Sequence, residues 1–247
     1  MVLILLFGHG WGFQWIMLII NLAGLLLISL VQILLVKKKG VKDKPFRKWK
    51  VLFAALGANI YLFIGLLPAI IFPPYEEPAV TGEYEVVTES RSYIDESREE
   101  TYRSTGEKRQ VNVTFWYPKD ADETYPLVVF SHGFSGISYS NVSTYMELAS
   151  HGYVVCSVDH SFQSFYTADA EGKVTIADNG YMQEYSELAN SDFDDRFEIY
   201  AKWMDIRVAD LNFVIDSILG SRYGVHGLVD AEPIGVFGHS LGGAAAM

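Results

Sequence analysis

The sequence predicts an α/β domain carried behind a pair of membrane-spanning helices. Two uncharged stretches of more than twenty residues each lie within the first 72 positions. Beyond them, short apolar runs alternate with helical periodicities. The runs are continuously apolar, as strands are when both faces of a mainly parallel sheet are covered by helices.

The first stretch, Gly12 to Val36, has no charged residue. At 1.5 Å per residue it reaches about 37 Å, enough to cross a hydrocarbon core of roughly 30 Å with some tilt. The second, Val51 to Phe72, is also uncharged and ends at Pro73-Pro74. A cleaved leader would carry its basic region ahead of the apolar core. Here the basic run follows the first stretch, and a second stretch comes after it. The intervening loop, 37–50, holds eight Lys and Arg against the single acid Asp43. Positive charge favours the cytoplasmic side, so the loop is expected inside and everything after Phe72 outside. The expectation is an integral protein of the plasma membrane, with helices at about 12–36 and 51–72 in a membrane region 1–72. Val2 to Phe7 is apolar but too short to cross. Asn21, Gln32 and Asn59 suit hydrogen bonds between helices, and Gly57, Ala58 and Gly65 suit their close packing.

Residues 73–82 read as a proline-containing tether, and 83–247 as the α/β domain. Val86 to Thr88 and Gln110 to Tyr117 alternate with a period near two on either side of a charged stretch, Asp95 to Arg109. They read as antiparallel strands at a sheet edge. Pro126 to Phe130 is a short apolar strand, Ser138 to His151 a helix stopped by Gly152, and Tyr153 to Val158 the next strand. From Phe193 to Leu219, Phe197, Tyr200, Met204, Val208, Leu211, Ile215 and Leu219 recur at spacings of three or four, a long helix. Pro233 to Phe237 is the last strand, and an alanine-rich helix start follows at Ala244. A site on such a sheet belongs beyond the carboxyl ends of its strands.

Charge is unevenly distributed. Of the 30 carboxylates, 29 lie from Glu76 onward, giving that stretch a formal charge of −18. An acidic body of this kind disfavours nucleic acid as a partner. Cys156 is the only cysteine and sits in an apolar strand, which excludes an intramolecular disulfide. No specific protein partner is deducible. The sequons at Asn112 and Asn141 carry no information about the host.

The chemistry centres on Gly238-His239-Ser240-Leu241-Gly242, followed by Gly243. The pentapeptide matters because of its context: an apolar strand ends at Phe237 and a helix begins just after. A sharp strand-to-helix turn exposes the serine hydroxyl at the top of the sheet, and flanking glycines let the chain pack closely there. Acyl transfer also needs preorganised N–H donors for the developing oxyanion. Leu241 N–H, next to the nucleophile, is one. The turn Ser131-His132-Gly133-Phe134 after the strand Leu127 to Phe130 offers Phe134 N–H as the second. His132 suits holding that loop rather than acting as base. His160 to Ser191, with Phe162, Phe165, Tyr166, Tyr181 and Tyr185, reads as a loop able to form a lid or acyl-binding wall.

The segments Pro126-Leu-Val-Val-Phe-Ser-His-Gly-Phe134, Leu148 to His160, Arg207 to Val214 and Ile234 to Gly243 together resemble the α/β-hydrolases. In particular they resemble the platelet-activating-factor acetylhydrolases of the plasma and isoform II type and their bacterial relatives. The resemblance covers about Gln110 to Met247. It implies an α/β-hydrolase fold, a Ser–Asp–His triad in that chain order, and an oxyanion hole from the Phe134 and Leu241 amides. It also implies short or oxidised acyl esters of phospholipids as substrates, with no metal or organic cofactor. Only Leu241 to Met247 follow the serine. The fold is therefore expected to be incomplete, the C-terminal part with its Asp and His absent, and the 247-residue chain inactive by itself. The remaining alternatives are a non-catalytic membrane-anchored module on the same scaffold, or a dienelactone-hydrolase-, lipase- or peptidase-like member of the fold. A small ester and the lipid bilayer are the partners these readings name.

Overall fold

A computed structural model describes residues 15–39, 47–72, 78–120 and 123–247. Val2 to Phe7, positions 12–14 of the first expected span, 40–46 of the basic loop and 73–77 of the tether lie outside the described residues. The chain divides into two compact units, Met1–Glu77 and Pro78–Met247.

The first unit is a pair of helices, α1 (Ile16–Lys39) and α2 (Lys48–Ile71). Both are long and apolar enough to cross a membrane by length and composition. Their apolar side chains are largely exposed, Leu26 at 63% and Phe53 at 66%. The two helices meet through Asn21, whose Nδ2 donates to Tyr61 O at 2.6 Å. Gly65 is buried opposite, where a Cβ would stand 2.7 Å from Asn21 Nδ2. Trp15 and Leu18 pack on Leu62 and Leu66. Two expectations fail here. Asn59 bonds Ala55 O within its own helix rather than across to α1, and Gly57 faces open space.

The second unit is a mixed five-stranded sheet built from β1 (Val86–Glu99), β2 (Lys108–Pro118), β3 (Tyr125–Ser131), β4 (Val154–Asp159) and β7 (Val229–Gly238), in the order β1-β2-β4-β3-β7. β1–β2 and β2–β4 are antiparallel, whereas β4–β3 and β3–β7 are parallel. β1 runs through the charged stretch as far as Glu99, beyond the short strand that the alternation indicates. An edge strand with one face in water tolerates those charges. Alternate residues of β2, β3 and β4 serve opposite faces. Phe115, Val129 and Cys156 pack on helix α5 (Phe193–Leu219), which supplies Leu211, Val214 and Ile218. Trp116, Phe130 and Val155 pack on Tyr145 and Ala149 of α3 (Val142–Ser150). This double coverage is why the strands read as continuous apolar runs. β7 pairs with β3 alone among the described residues, and Gly235 and Val236 are exposed. Thr81 N–H donates to Glu147 Oε2 at 2.9 Å and Gly82 N–H to Ser150 Oγ at 3.2 Å, so this end of the expected tether is bound to α3.

The stretch 160–191 is not a loop. It folds into a small hairpin, β5 (Tyr166–Ala168) with β6 (Val174–Ile176), and a helix, α4 (Asn179–Leu188). Asp178 caps α4 by accepting from Gly180 N–H, and Tyr181 and Leu188 form its buried side. The face that α5 buries is also rotated from the stripe named above. Trp203, Ile206, Arg207, Asp210, Leu211, Val214 and Ile218 point inward, while Phe197 and Val208 are exposed.

Candidate active site

Strand β7 delivers the chain to Ser240, and helix α6 (Leu241–Ala245) leaves it. Ser240 has φ 51° and ψ −119°. A non-glycine residue there is strained by about 1–3 kcal/mol and persists only where its surroundings enforce it. The flanking glycines show the enforcement. A Cβ on Gly238 would stand 2.3 Å from the Gly242 carbonyl oxygen, and one on Gly242 would stand 2.0 Å from Ser131 O. Strand end and helix start therefore meet backbone to backbone, with β3 directly behind. His239 N–H donates to Ser131 O at 3.1 Å and Gly242 N–H to His239 O at 2.9 Å. His239 and Ser240 are both exposed.

The turn after β3 lies beside this elbow. A Cβ on Gly133 would meet His239 Nδ1 at 2.8 Å and Ser240 Cβ at 3.5 Å. Phe134 and Leu241 belong with Ser240 to one small cavity of about 140 Å³, lined also by Tyr185 and Leu188 of α4 and by Tyr200 and Trp203 of α5. Phe134 stacks on Tyr185 with ring centroids 4.2 Å apart. Neither Phe134 N–H nor Leu241 N–H donates to another protein group among the described residues. Trp203 is held by its indole N–H, which donates to Glu184 Oε2 at 2.7 Å, and Lys202 binds the same carboxylate. Burial opposes ionisation of Glu184, but the hydrogen bonds from Lys202 and Trp203 outweigh it and lower its pKa.

Of the residues named from sequence, the structure brings Ser240, Leu241, Phe134, Gly133 and the elbow glycines together. Tyr185 lines the cavity and Tyr181 packs behind it against Trp203. Phe162 and Phe165 are not among the cavity's residues. Trp203 and Leu188 were missed, and Tyr200 was read only as part of the apolar stripe of α5 and not as a site residue. Trp203 stands three residues beyond Tyr200, a spacing that marks one face, but the apolar count took the stripe on through Met204 instead.

Behind the loop lies a buried polar cluster that sequence reading also missed. Asp210 accepts from Arg98 Nη2 (2.9 Å), Arg109 Nε (3.0 Å), Arg109 Nη2 (2.6 Å) and His160 Nδ1–H (3.0 Å). His160 Nε2 then accepts from Ser131 Oγ–H at 2.8 Å. This is the hydrogen-bond order of a serine–histidine–aspartate triad, but all three side chains are completely buried. No substrate reaches Ser131, so the relay fixes the end of β3 rather than reacting. Burial and the Arg207 charge push His160 down to about 4, against the pull of Asp210, and the imidazole is neutral. Burial pushes Asp210 up, but Arg109 and His160 outweigh it and hold the carboxyl well below its ordinary range. Among the described residues no histidine hydrogen-bonds Ser240, and no cluster has the ligands to hold a metal ion.

Residues 81–247 match the family model of platelet-activating factor acetylhydrolase, isoform II. The chain belongs to that family. Among curated relatives, the platelet-activating factor acetylhydrolase of Cavia porcellus is 28% identical over 153 residues, covering 53% of this chain and 33% of the relative. That of Bos taurus is 26% identical over 147 residues, covering 51% and 32%. The chain thus spans about a third of the length of the curated relatives it matches. A solved ferulic acid esterase from Streptomyces cinnamoneus superposes with a TM-score of 0.55 at 25% identity, over 69% of this chain and 56% of the esterase. The family match takes in the elbow, the turn after β3 and the aromatic cavity.

Proposed function

We propose that the intact protein is a membrane-anchored serine hydrolase that cleaves short acyl esters of lipids, with Ser240 as nucleophile. The observation that carries this reading is the strained Ser240 elbow at the carboxyl end of β7, opening on a small aromatic cavity. Ser240 Oγ attacks the ester carbonyl, and the Phe134 and Leu241 amides receive the developing oxyanion. The alcohol departs, and water releases the acyl group by the same route. Gly238, Gly242 and Gly243 permit the turn, while His239, His132 and Gly133 support it. The reading assigns the general base to none of the described histidines. The apolar, aromatic lining of this small cavity suits an acyl group, and its volume of about 140 Å³ favours a short one. The membership of the family supports a phospholipid-like ester as substrate.

The test is turnover of p-nitrophenyl esters of increasing acyl length by the intact protein. Short acyl groups turn over best, Ser240→Ala abolishes turnover, and Trp203→Ala moves the optimum to longer chains. An unchanged acyl preference in Trp203→Ala removes the cavity from the mechanism. On the same reading α1 and α2 span the plasma membrane with the basic loop 37–50 in the cytoplasm and the hydrolase unit outside. Protease added to intact cells then cuts the hydrolase unit and spares a tag at Lys42; protection of that unit reverses the orientation.

A further inference from the structure

Arg207 is fully buried on α5, yet among the described residues its guanidinium has no carboxylate partner. The nearest candidate along the helix, Asp210, is taken up by Arg98, Arg109 and His160. A buried cation without a counter-ion is costly, and a fold that keeps one uses hydrogen bonds to satisfy it. Arg207 spends all three of its nitrogens in this way. Nε donates to Gln163 Oε1 at 2.9 Å, Nη1 to His132 O at 2.6 Å, and Nη2 reaches Gly133 O at 3.5 Å. Two of the three acceptors are main-chain carbonyls of the turn that carries Phe134.

The Gly133 carbonyl is loaded further. It accepts from His132 Nδ1–H at 2.7 Å and from Gly136 N–H at 3.1 Å. The Gly133 carbonyl can only accept, so that bond requires the Nδ1–H form of a neutral His132, whose Nε2 then faces the His160 N–H as an acceptor at 3.5 Å. Burial first, then the charge of Arg207, lowers the pKa of His132 well below its ordinary value and keeps it in this state. Gly133 C=O and Phe134 N–H belong to one planar trans peptide and point to opposite ends of it. Donors gathered on the carbonyl therefore fix the plane and draw electron density away from the N–H, strengthening it as a donor. In a buried setting the guanidinium charge is screened much less than it would be at the surface.

We propose that Arg207, with His132, is a positioning residue of the oxyanion hole that aligns and polarises the Gly133–Phe134 peptide. This rests on the reading of Ser240 as nucleophile and Phe134 N–H as oxyanion donor. Arginine is required because its planar fork reaches three acceptors at once, whereas lysine offers a single point charge.

The experiment measures kcat and KM for a short-chain ester in the intact protein, with melting curves to establish folding. Removing an oxyanion donor outright costs about 10²–10³ in kcat, so weakening one costs less. Arg207→Lys loses roughly tenfold and Arg207→Ala roughly a hundredfold in kcat, with KM within about twofold. Low-millimolar guanidinium restores turnover in Arg207→Ala and leaves the wild type unchanged. Folded variants with wild-type kcat, or a loss confined to KM, overturn the proposal. Should Arg207→Ala not fold, Arg207→Lys decides by the same criterion. In wild-type protein, ¹⁵N spectra of histidine must show His132 as the Nδ1–H tautomer; the Nε2–H tautomer overturns the polarisation. Turnover that survives in Ser240→Ala instead sinks the underlying site reading, and so the two failures are told apart.

Discussion

Asp210→Asn tests the buried cluster that carries the end of β3. Each carboxylate oxygen of Asp210 accepts two hydrogen bonds, Oδ1 from Arg98 and Arg109 and Oδ2 from Arg109 and His160. An amide offers one oxygen. Whichever way it is turned, its NH₂ faces two donors, so two bonds are lost and the buried Arg109 keeps only Glu100 as counter-ion. Breaking a buried, hydrogen-bonded pair by removing one partner costs about 3–5 kcal/mol. For a unit the size of Pro78–Met247, each kcal/mol lowers the melting temperature by about 2–4 °C, giving a loss of roughly 10 °C. Arg109→Met leaves Asp210 with only Arg98 and His160 and takes the buried cation from Glu100, and falls by a similar amount. The double variant costs well below the sum, because neither charge is left stranded by the other. Thermal and urea unfolding of the intact protein, followed by tryptophan fluorescence, measures all three. A loss under about 1 kcal/mol for Asp210→Asn, or additivity of the two single variants, refutes the reasoning.

Gly242→Ala, whose Cβ would stand 2.0 Å from Ser131 O, loses at least about 3 kcal/mol and the reactivity of Ser240. Gly235→Ala, with nothing nearer than 3.7 Å, stays within about 1 kcal/mol; equal effects in the two would remove the close-packing account of the elbow. The depressed pKa of His160 makes stability acid-sensitive. The unfolded imidazole takes its proton near 6.5 and the folded one only near 4, so the stability present above 6.5 is lost as pH falls between those values. Equilibrium unfolding at pH 7 and pH 5 should show the wild type losing about 2 kcal/mol more than His160→Gln, and parallel losses would mean that His160 is not held neutral.

The elements that sequence made legible were those whose pattern follows from covering both faces of a sheet. β3 and β4 are short apolar runs because helices lie on either side. The elbow was legible because Gly238 and Gly242 are needed by close backbone approach, which leaves a mark in composition. The buried face of α5 was not legible for an equally physical reason. Its inward positions include Arg207 and Asp210, and a hydrophobic count moves the stripe to Met204 and Val208 beside them. Buried charges that satisfy one another look like surface residues in sequence. The hairpin and helix within 160–191 were hidden by the same effect on a smaller scale, since exposed aromatics such as Phe165 and Tyr185 mask the buried pair Tyr181 and Leu188. Asp178, the cap of α4, was the available signal.

The central claim is that Ser240 is the reactive serine. A fluorophosphonate probe applied to the intact protein, followed by peptide mapping by mass spectrometry, tests it directly, because the buried Ser131 stands in hydrogen-bonded order with a histidine and an aspartate and is the natural competitor. The account predicts a single adduct on the peptide containing Ser240, absent in Ser240→Ala and present in Ser131→Ala where that variant folds. An adduct on Ser131 or any other serine, or labelling that persists in Ser240→Ala, contradicts it.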